Sequence, residues 1–511
     1  MRPIPAPLAA IIASCFLSVC GTPVQAADGT PKLAERVDLL ISDTPIVERG
    51  NFGYKVVDAG TGAVLAERNA SHFFTPASNA KLYTTATALT RLGPNYRFQT
   101  EVRTNGPWAP GQAVASDLEL IGGGDPNLSG RVLPYHVDAK DGDAMSALNE
   151  LADKLFAAGI REVTGNVVGV ATRYPGDAYP GGWTIDDSIY SYGAPVSALT
   201  LNDSTVSITL SPTSEGELAA LETQPALSHF VYLNQVVTTG DSSSSQVHLT
   251  RKPGSNEVVL WGRIGRQAAP WKEDLGVDDP ALFAAEGLVN ALEERGIVVR
   301  GSTASVYRDL TEVADPTHEA ATPALQGTLL AVHESPPLWE DIQLTDKVSQ
   351  NLHAEMLLRE VGYVTRGIGT LKAGVDAREA FLKEAGITPD ETGFAIGDGS
   401  GLARQDLVTP QSTVALLRYM WLRPERDLWL QALPIGGIDG SLEHRFHNID
   451  GADRVHAKTG SISHVATLSG YIETKDHRWL AFSAMVNAAS GHSSEVRDFL
   501  DRFCALFLGE Q

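Results

Sequence analysis

The sequence predicts a mixed α/β (α+β) protein in which both ends of the chain build one antiparallel sheet flanked by helices, with the middle inserted between them. Three observations carry that expectation. Residues 54–58 and 63–67 flank Ala59-Gly60-Thr61-Gly62 and read as a β-hairpin. A segment rich in Ala, Leu and Thr follows over 76–92; Pro76 at its start and Gly93-Pro94 beyond its end are the asymmetry of a helix. Near the other end, 454–461, 465–473 and 479–487 read as three successive strands, and 496–507 as an amphipathic helix.

The middle has its own organisation. From 97 to 200, short strands (117–122, 165–170) mix with a helix over 145–158. From 200 to 265 apolar residues alternate, as in Val206, Ile208 and Leu210, or Val258 and Leu260, which predicts a small all-β unit. Helical periodicity returns over 280–295 and 347–361. The expected division is a leader over 1–26, a terminal unit from 27–96 and 323–511, an inserted α/β unit from 97–199 and 266–322, and the all-β unit at 200–265 nested within it. No repeat of 20–50 residues is present.

Composition narrows the class. The 511 residues are 43% hydrophobic and 20% charged, ordinary globular usage that excludes a disordered chain or a fibre. With 40 Lys+Arg against 62 Asp+Glu, the net charge of −22 argues against a general nucleic-acid binder. No apolar run is long enough for a transmembrane span in the body of the chain. Arg2, the mostly apolar run from Leu8 to Cys20 and the small residues of Val24-Gln25-Ala26 predict a secretory signal cleaved near Ala26, hence a periplasmic or secreted protein. Cys15 and Cys20 leave with that segment. Cys504 is then alone and reads as a small buried hydrophobe among Phe499, Phe503 and Phe507.

Three motifs carry chemistry. Ser78-Asn79-Ala80-Lys81 opens the 76–92 helix, and a spacing of i to i+3 puts hydroxyl and amine on one face. Such a pair works as nucleophile and base only if the amine is neutral; burial, a helix N-terminus and a second cation all push its pKa down. Ser349-Gln350-Asn351 begins the 347–361 helix and offers a hydroxyl and an amide for proton shuttling and substrate alignment. Lys458-Thr459-Gly460 lies in the first terminal strand, where Lys supplies charge for a carboxylate, Thr a hydroxyl, and Gly a close backbone approach. A Ser-x-x-Lys alone turns up by chance about once in such a chain, a Lys-Thr-Gly about a tenth as often. Order and placement together make coincidence improbable. Elsewhere, Gly122 to Gly124 lacks the following Lys-Ser/Thr of a nucleotide loop, and His444-x-x-His447 makes no zinc spacing.

In this combination the chain resembles the penicillin-recognising acyl-serine enzymes, a group whose β-lactamases and penicillin-binding proteins carry the same three motifs. The separation of Ser78 and Ser349, 271 positions, is similar to that in the class-C low-molecular-mass penicillin-binding proteins, the D-alanyl-D-alanine carboxypeptidase/endopeptidases. So are Gly122-Gly123-Gly124-Asp125-Pro126, residues 192–199 and Asp398-Gly399-Ser400-Gly401-Leu402. The resemblance implies a β-lactamase/transpeptidase-like domain with two inserted domains. It implies a metal-free serine hydrolase of peptidoglycan stem peptides, acylated by β-lactam antibiotics.

Carried over residue by residue, the resemblance makes Ser78 the nucleophile and Lys81 the base, with Ser349 and Asn351 assisting. It gives Lys458, Thr459, Gly460 and Ser461 to substrate binding, and the backbone N–H groups of Ser78 and Ser461 to the oxyanion hole. Asp187, or its neighbour Asp186, matches the acid that receives the free ammonium of the stem peptide, with Tyr192 as an aromatic wall. Ala403 and Asp406 stand where the family more usually has Ser and Asn, which leaves the role of Arg404 open. A serine β-lactamase and a catalytically silent wall-peptide scaffold are the alternatives. The first would need a group that activates deacylating water, and the second gives no chemical reason for Ser78, Lys81 and Lys458 to be present together.

Overall fold

A computed structural model describes residues 33–139, 141–313, 325–491 and 493–509. The expected leader lies outside the described residues. The two ends of the chain meet in one five-stranded sheet, ordered Val455–Ile462, Val465–Glu473, Trp479–Asn487, Asn51–Asp58, Val64–Arg68 and antiparallel throughout. Val465–Glu473 and Trp479–Asn487 are buried along nearly their whole length because helices cover both faces. On one face, Phe52 and Tyr54 meet Phe499 and Phe503 of the helix Ser493–Leu508 edge-on, with ring centroids 4.9 and 5.0 Å apart, and Cys504 is fully buried beside them. On the other, the Tyr471 hydroxyl donates to the Leu417 carbonyl and accepts from the Trp429 indole, tying the sheet to Pro410–Trp421 and Arg426–Ala432.

The helix Ala80–Leu92 lies beneath this second face and is buried on every side from Ala80 to Leu89. Three of its threonines are tolerated there because the hydroxyl has a carbonyl to donate to: Thr85 to Lys81, Thr87 to Tyr83, and Thr84 across to Gly399. It ends at Gly93, at φ 83°.

The inserted region has a second five-stranded sheet, ordered Thr303–Val306, Val167–Val170, Leu118–Ile121, Gln99–Thr104, Thr328–Glu334. The first three strands run parallel and the last two pair antiparallel. Two three-stranded sheets follow, one of Ser245–Arg251, Glu257–Gly265 and Val231–Thr239, the other of Trp271–Gly276, Thr205–Ser211 and Ala220–Gln224.

Sheet membership departs from the expected boundaries at two places. Thr328–Glu334, expected in the terminal unit that resumes at 323, pairs with Gln99–Thr104. Trp271–Gly276, beyond the expected end of the all-β unit at 265, pairs with Thr205–Ser211. Both are edge strands with half-exposed side chains, so neither carries a full apolar alternation. The helix expected over 347–361 starts at Asn351 and runs to Arg366; Lys347 instead ends a separate helix, Leu338–Lys347, and Ser349 between them has φ 63°. Among the described residues no helix is long and apolar enough to cross a membrane.

Candidate active site

The three motifs converge where the helix Ala80–Leu92, the helix Asn351–Arg366 and the edge strand Val455–Ile462 meet. Ser78 sits in a 3-10 turn, Ala77–Asn79, that leads into Ala80–Leu92. Ala77 before it has φ 47°, a left-handed conformation that a non-glycine residue holds only when its surroundings fix it. The surroundings are specific. Thr467 Oγ1 donates to the Pro76 carbonyl at 2.8 Å, and Asn79 Nδ2 donates to the Lys458 carbonyl at 2.9 Å. Gly460 lets the strand pass this turn: a Cβ there would collide with Thr467 Oγ1 and lie 3.1 Å from Ser78 N.

Lys81 Nζ lies 3.0 Å from Ser78 Oγ, 2.6 Å from Asn351 Oδ1 and 2.8 Å from the Ser400 carbonyl. The side chain is fully buried. Burial, and next the charge of Lys458, lower its pKa to about 7, against opposing pulls from Asp398, Glu355 and Asp346. An uncharged amine has two N–H donors and one lone pair. Asn351 Oδ1 and the Ser400 carbonyl take both donors, so the lone pair is left for the Ser78 hydroxyl. The Asn351 amide is oriented for this, since its Nδ2 donates to the Tyr192 carbonyl at 2.7 Å.

Lys458 is also fully buried. Its Nζ donates to Ser349 Oγ at 2.9 Å and to the Thr459 carbonyl at 3.0 Å. Burial lowers it to about 8, with Asp346 pulling the other way. Thr459 and Ser461 follow on the same strand. Ser78, Asn351, Ser461, Leu402, Arg404, Asp186, Asp187 and Tyr192 all line one cleft of about 520 Å³. Of the residues singled out in sequence, Ser78, Asn351, Ser461, Asp187 and Tyr192 border this opening; Lys81 lies behind it on Ser78 and Asn351, Lys458 lies behind Ser349, and Thr459 and Gly460 do not line it.

A model of the D-Ala-D-Ala carboxypeptidase 3 (S13) family matches residues 33–506. The chain belongs to that family. A D-alanyl-D-alanine carboxypeptidase of Actinomadura sp. (strain R39) is 33% identical over 493 residues, covering 94% of this chain and 86% of its own. Among solved structures, penicillin binding protein 4 (dacB) from Haemophilus influenzae superposes with a TM-score of 0.76 at 23% identity, covering 93% of this chain and 99% of that one. The same protein complexed with a β-lactam matches at TM-score 0.70 and 24% identity, covering 92% and 97%. The mixed architecture expected from the sequence is thus the fold of this family.

In this S13 chain the short 3-10 helix Ile185–Ile189 carries both acids. Asp187 accepts from the Thr184 backbone N–H at 3.0 Å, closing a capping box, and hydrogen-bonds Tyr192. Burial, and next Asp187, push the Tyr192 phenol up to about 12. Its ring stacks on Tyr190 at 5.7 Å. Asp186 is exposed at the rim of the same cleft. Arg404 Nη1 donates to the Ser463 carbonyl at 3.2 Å, on the cleft wall.

Several residues of the site went unnoticed in sequence. Ser441 holds its hydroxyl 2.7 Å from that of Thr459. Ser400 acts through its carbonyl, which residue type does not advertise. Asp398, beneath it, accepts from Gly401 N, Ala403 N and Trp183 Nε1, fixing the loop that reaches Lys81. Glu355 Oε1 accepts from the N–H groups of Gly399 and Ser400 at 2.8 and 2.9 Å. Only the Asp-Gly-Ser-Gly-Leu stretch could have pointed to this loop, and it did so through resemblance alone.

Proposed function

We infer that the protein is a serine D-alanyl-D-alanine carboxypeptidase of peptidoglycan stem peptides, working through an acyl-Ser78 intermediate. The observation that carries this reading is the Lys81 amine, buried, with its pKa lowered to about 7 and its Nζ 3.0 Å from Ser78 Oγ. Lys81 takes the hydroxyl proton as Oγ attacks the carbonyl carbon between the two D-alanines. The backbone N–H groups of Ser78 and Ser461 hold the oxyanion; one such donor contributes about 3 kcal/mol to lowering the barrier. The C–N bond then breaks, and the proton reaches the departing D-alanine amine from Lys81 with help from Ser349. Water, deprotonated by the same amine, hydrolyses the ester and frees Ser78. Asn351 aligns the substrate amide from the cleft wall.

Specificity comes from two ends. The terminal carboxylate meets the hydroxyls of Thr459 and Ser461. Fully buried Lys458 acts on it as a charge relayed through Ser349 and the Thr459 segment. Asp187, beside Tyr192, takes the free ammonium of the stem peptide's diamino acid. A cross-link presents the same scissile bond with a second stem on its amine, so endopeptidase cleavage is the same chemistry. β-Lactams, as strained cyclic amides, acylate Ser78 in place of substrate. A substrate of this kind lies outside the cytoplasm, which fits export with cleavage near Ala26.

A synthetic stem pentapeptide ending in D-Ala-D-Ala tests the proposal. Stoichiometric release of one D-alanine by the wild type, and none by Ser78→Ala, is expected. Release undiminished in Ser78→Ala would refute it.

A further inference from the structure

The inserted region reaches the catalytic motifs through one carboxylate. Asp203 stands in a loop where three successive non-glycine residues, Asn202, Asp203 and Ser204, hold φ of 51°, 56° and 56°. Its surroundings impose this conformation. Asn202 N donates to the Leu128 carbonyl at 2.8 Å, Thr205 Oγ1 to the Asn202 carbonyl at 2.7 Å, and Val277 N to the Ser204 carbonyl at 2.9 Å. The Asp203 side chain is nearly buried. Oδ2 accepts from Arg131 Nε at 2.8 Å and Nη2 at 2.5 Å, and from Gln350 Nε2 at 2.8 Å. Oδ1 accepts from His353 Nε2 at 3.1 Å. The other imidazole nitrogen faces Asp341 Oδ1 at 2.7 Å, with His353 wholly buried. Burial would make that ring neutral, but the two carboxylates raise it to about 9, so both of its N–H groups donate.

We infer that Asp203 is a positioning residue for the Ser349–Gln350–Asn351 segment, acting through the Gln350 amide and the His353 ring; this rests on the proposed role of that segment in acylation. Gln350 lies between the two site residues and caps the helix Asn351–Arg366, its Oε1 accepting from Leu352 N at 3.0 Å. The amide caps with its oxygen while its nitrogen donates to Asp203, and that second bond fixes which way round the amide sits. On one side of Gln350, Ser349 keeps its left-handed backbone and its contact with Lys458. On the other, Asn351 spans Lys81 and Tyr192. A turned Gln350 amide displaces both side chains together, and misplacement by about 1 Å costs on the order of 10²-fold in rate. The helix is gripped from both bodies as well. Leu352 and Met356 pack into the core of the inserted region, Leu357 and Val361 into that of the terminal unit.

The test is a double-mutant cycle on the full protein. Gln350→Ala, Asp203→Asn and the pair are compared by their limiting rate of acylation with a labelled penicillin, its pH profile, and melting temperature. Each single variant is expected to slow acylation about 10- to 100-fold without moving the limbs of the pH profile. The pair should be no slower than the slower single, since both remove one device. Gln350→Ala lies at a half-buried position and should melt near the wild-type temperature. If Asp203→Asn fails to fold, Gln350→Glu, which sets a carboxylate against Asp203, should slow acylation at least as much as Gln350→Ala. Wild-type acylation rates in the Gln350 variants, or losses that multiply in the pair, would overturn the inference. A wild type that is not acylated at all would instead overturn the functional reading beneath it.

Discussion

The charge of Lys458 lowers the pKa of Lys81, and both amines are fully buried. Two lysines buried together would be a liability in a merely structural core, because desolvation disfavours each charge. Here the outcome is divided labour: the amine at about 7 is free to accept a proton while the one at about 8 still carries charge.

That division predicts a bell-shaped pH profile for acylation. Below about 7 Lys81 is protonated and cannot act as base, so the rate falls with falling pH. Above about 8 Lys458 loses its charge and the carboxylate is held less well, so the rate falls with rising pH. Lys458→Gln should abolish the alkaline limb and move the acid limb upward, because Lys81 loses a neighbouring positive charge. Stopped-flow acylation across pH 5–10 reads both limbs; an unmoved acid limb in the variant would contradict the account.

Asp187→Ala should raise KM for stem peptides roughly 10- to 100-fold, the worth of a hydrogen bond to a charged group. Penicillin acylation should stay near the wild-type rate. Asp186→Ala serves as the comparison. If it carries the effect instead, the exposed neighbour is the recognition group; equal loss of peptide and penicillin reactivity in Asp187→Ala would mean that the residue supports the fold of the cleft.

A third expectation concerns Asp406. Burial, and next the charge and hydrogen bond of Asp398, push its carboxyl up to about 9. Its Oδ1 accepts from Gly397 N at 2.7 Å, and Oδ2 is left to donate its proton to Asp398. The folded protein therefore keeps a proton that the unfolded chain releases near about 4. Between these values the unfolded state binds fewer protons, so this group makes stability fall as pH rises. Asp406→Asn preserves both hydrogen bonds and removes the titration. Its melting temperature should match the wild type near pH 4 and exceed it by a widening margin, a few degrees, toward pH 9. A margin that stays constant with pH would rule the shared proton out.

What could be read in the sequence was whatever local pattern encodes. The hairpin around Gly60, the strands of the terminal sheet and the helix containing Cys504 follow from apolar spacing and turn residues. Lys81 one turn beyond Ser78 follows from helical geometry. Ser349 shows the opposite case: apolar periodicity runs on through 347–361, and neither Gly nor Pro marks the break, because a left-handed serine is imposed by its neighbours. Thr328–Glu334 was missed since an edge strand with mixed exposure has no clean alternation. Asp203, Ser441 and the Ser400 carbonyl act on residues 147, 18 and 319 positions away, and no local pattern records such pairings.

The central claim is that Ser78 forms a covalent acyl intermediate with Lys81 as its base. Incubation with a labelled penicillin near pH 7.5, followed by proteolysis and mass spectrometry, tests it directly. A stable adduct on the peptide containing Ser78 is expected, absent from Ser78→Ala and slowed by at least about 10²-fold in Lys81→Ala. An adduct on another residue, or a folded wild type that stays unlabelled, would contradict it.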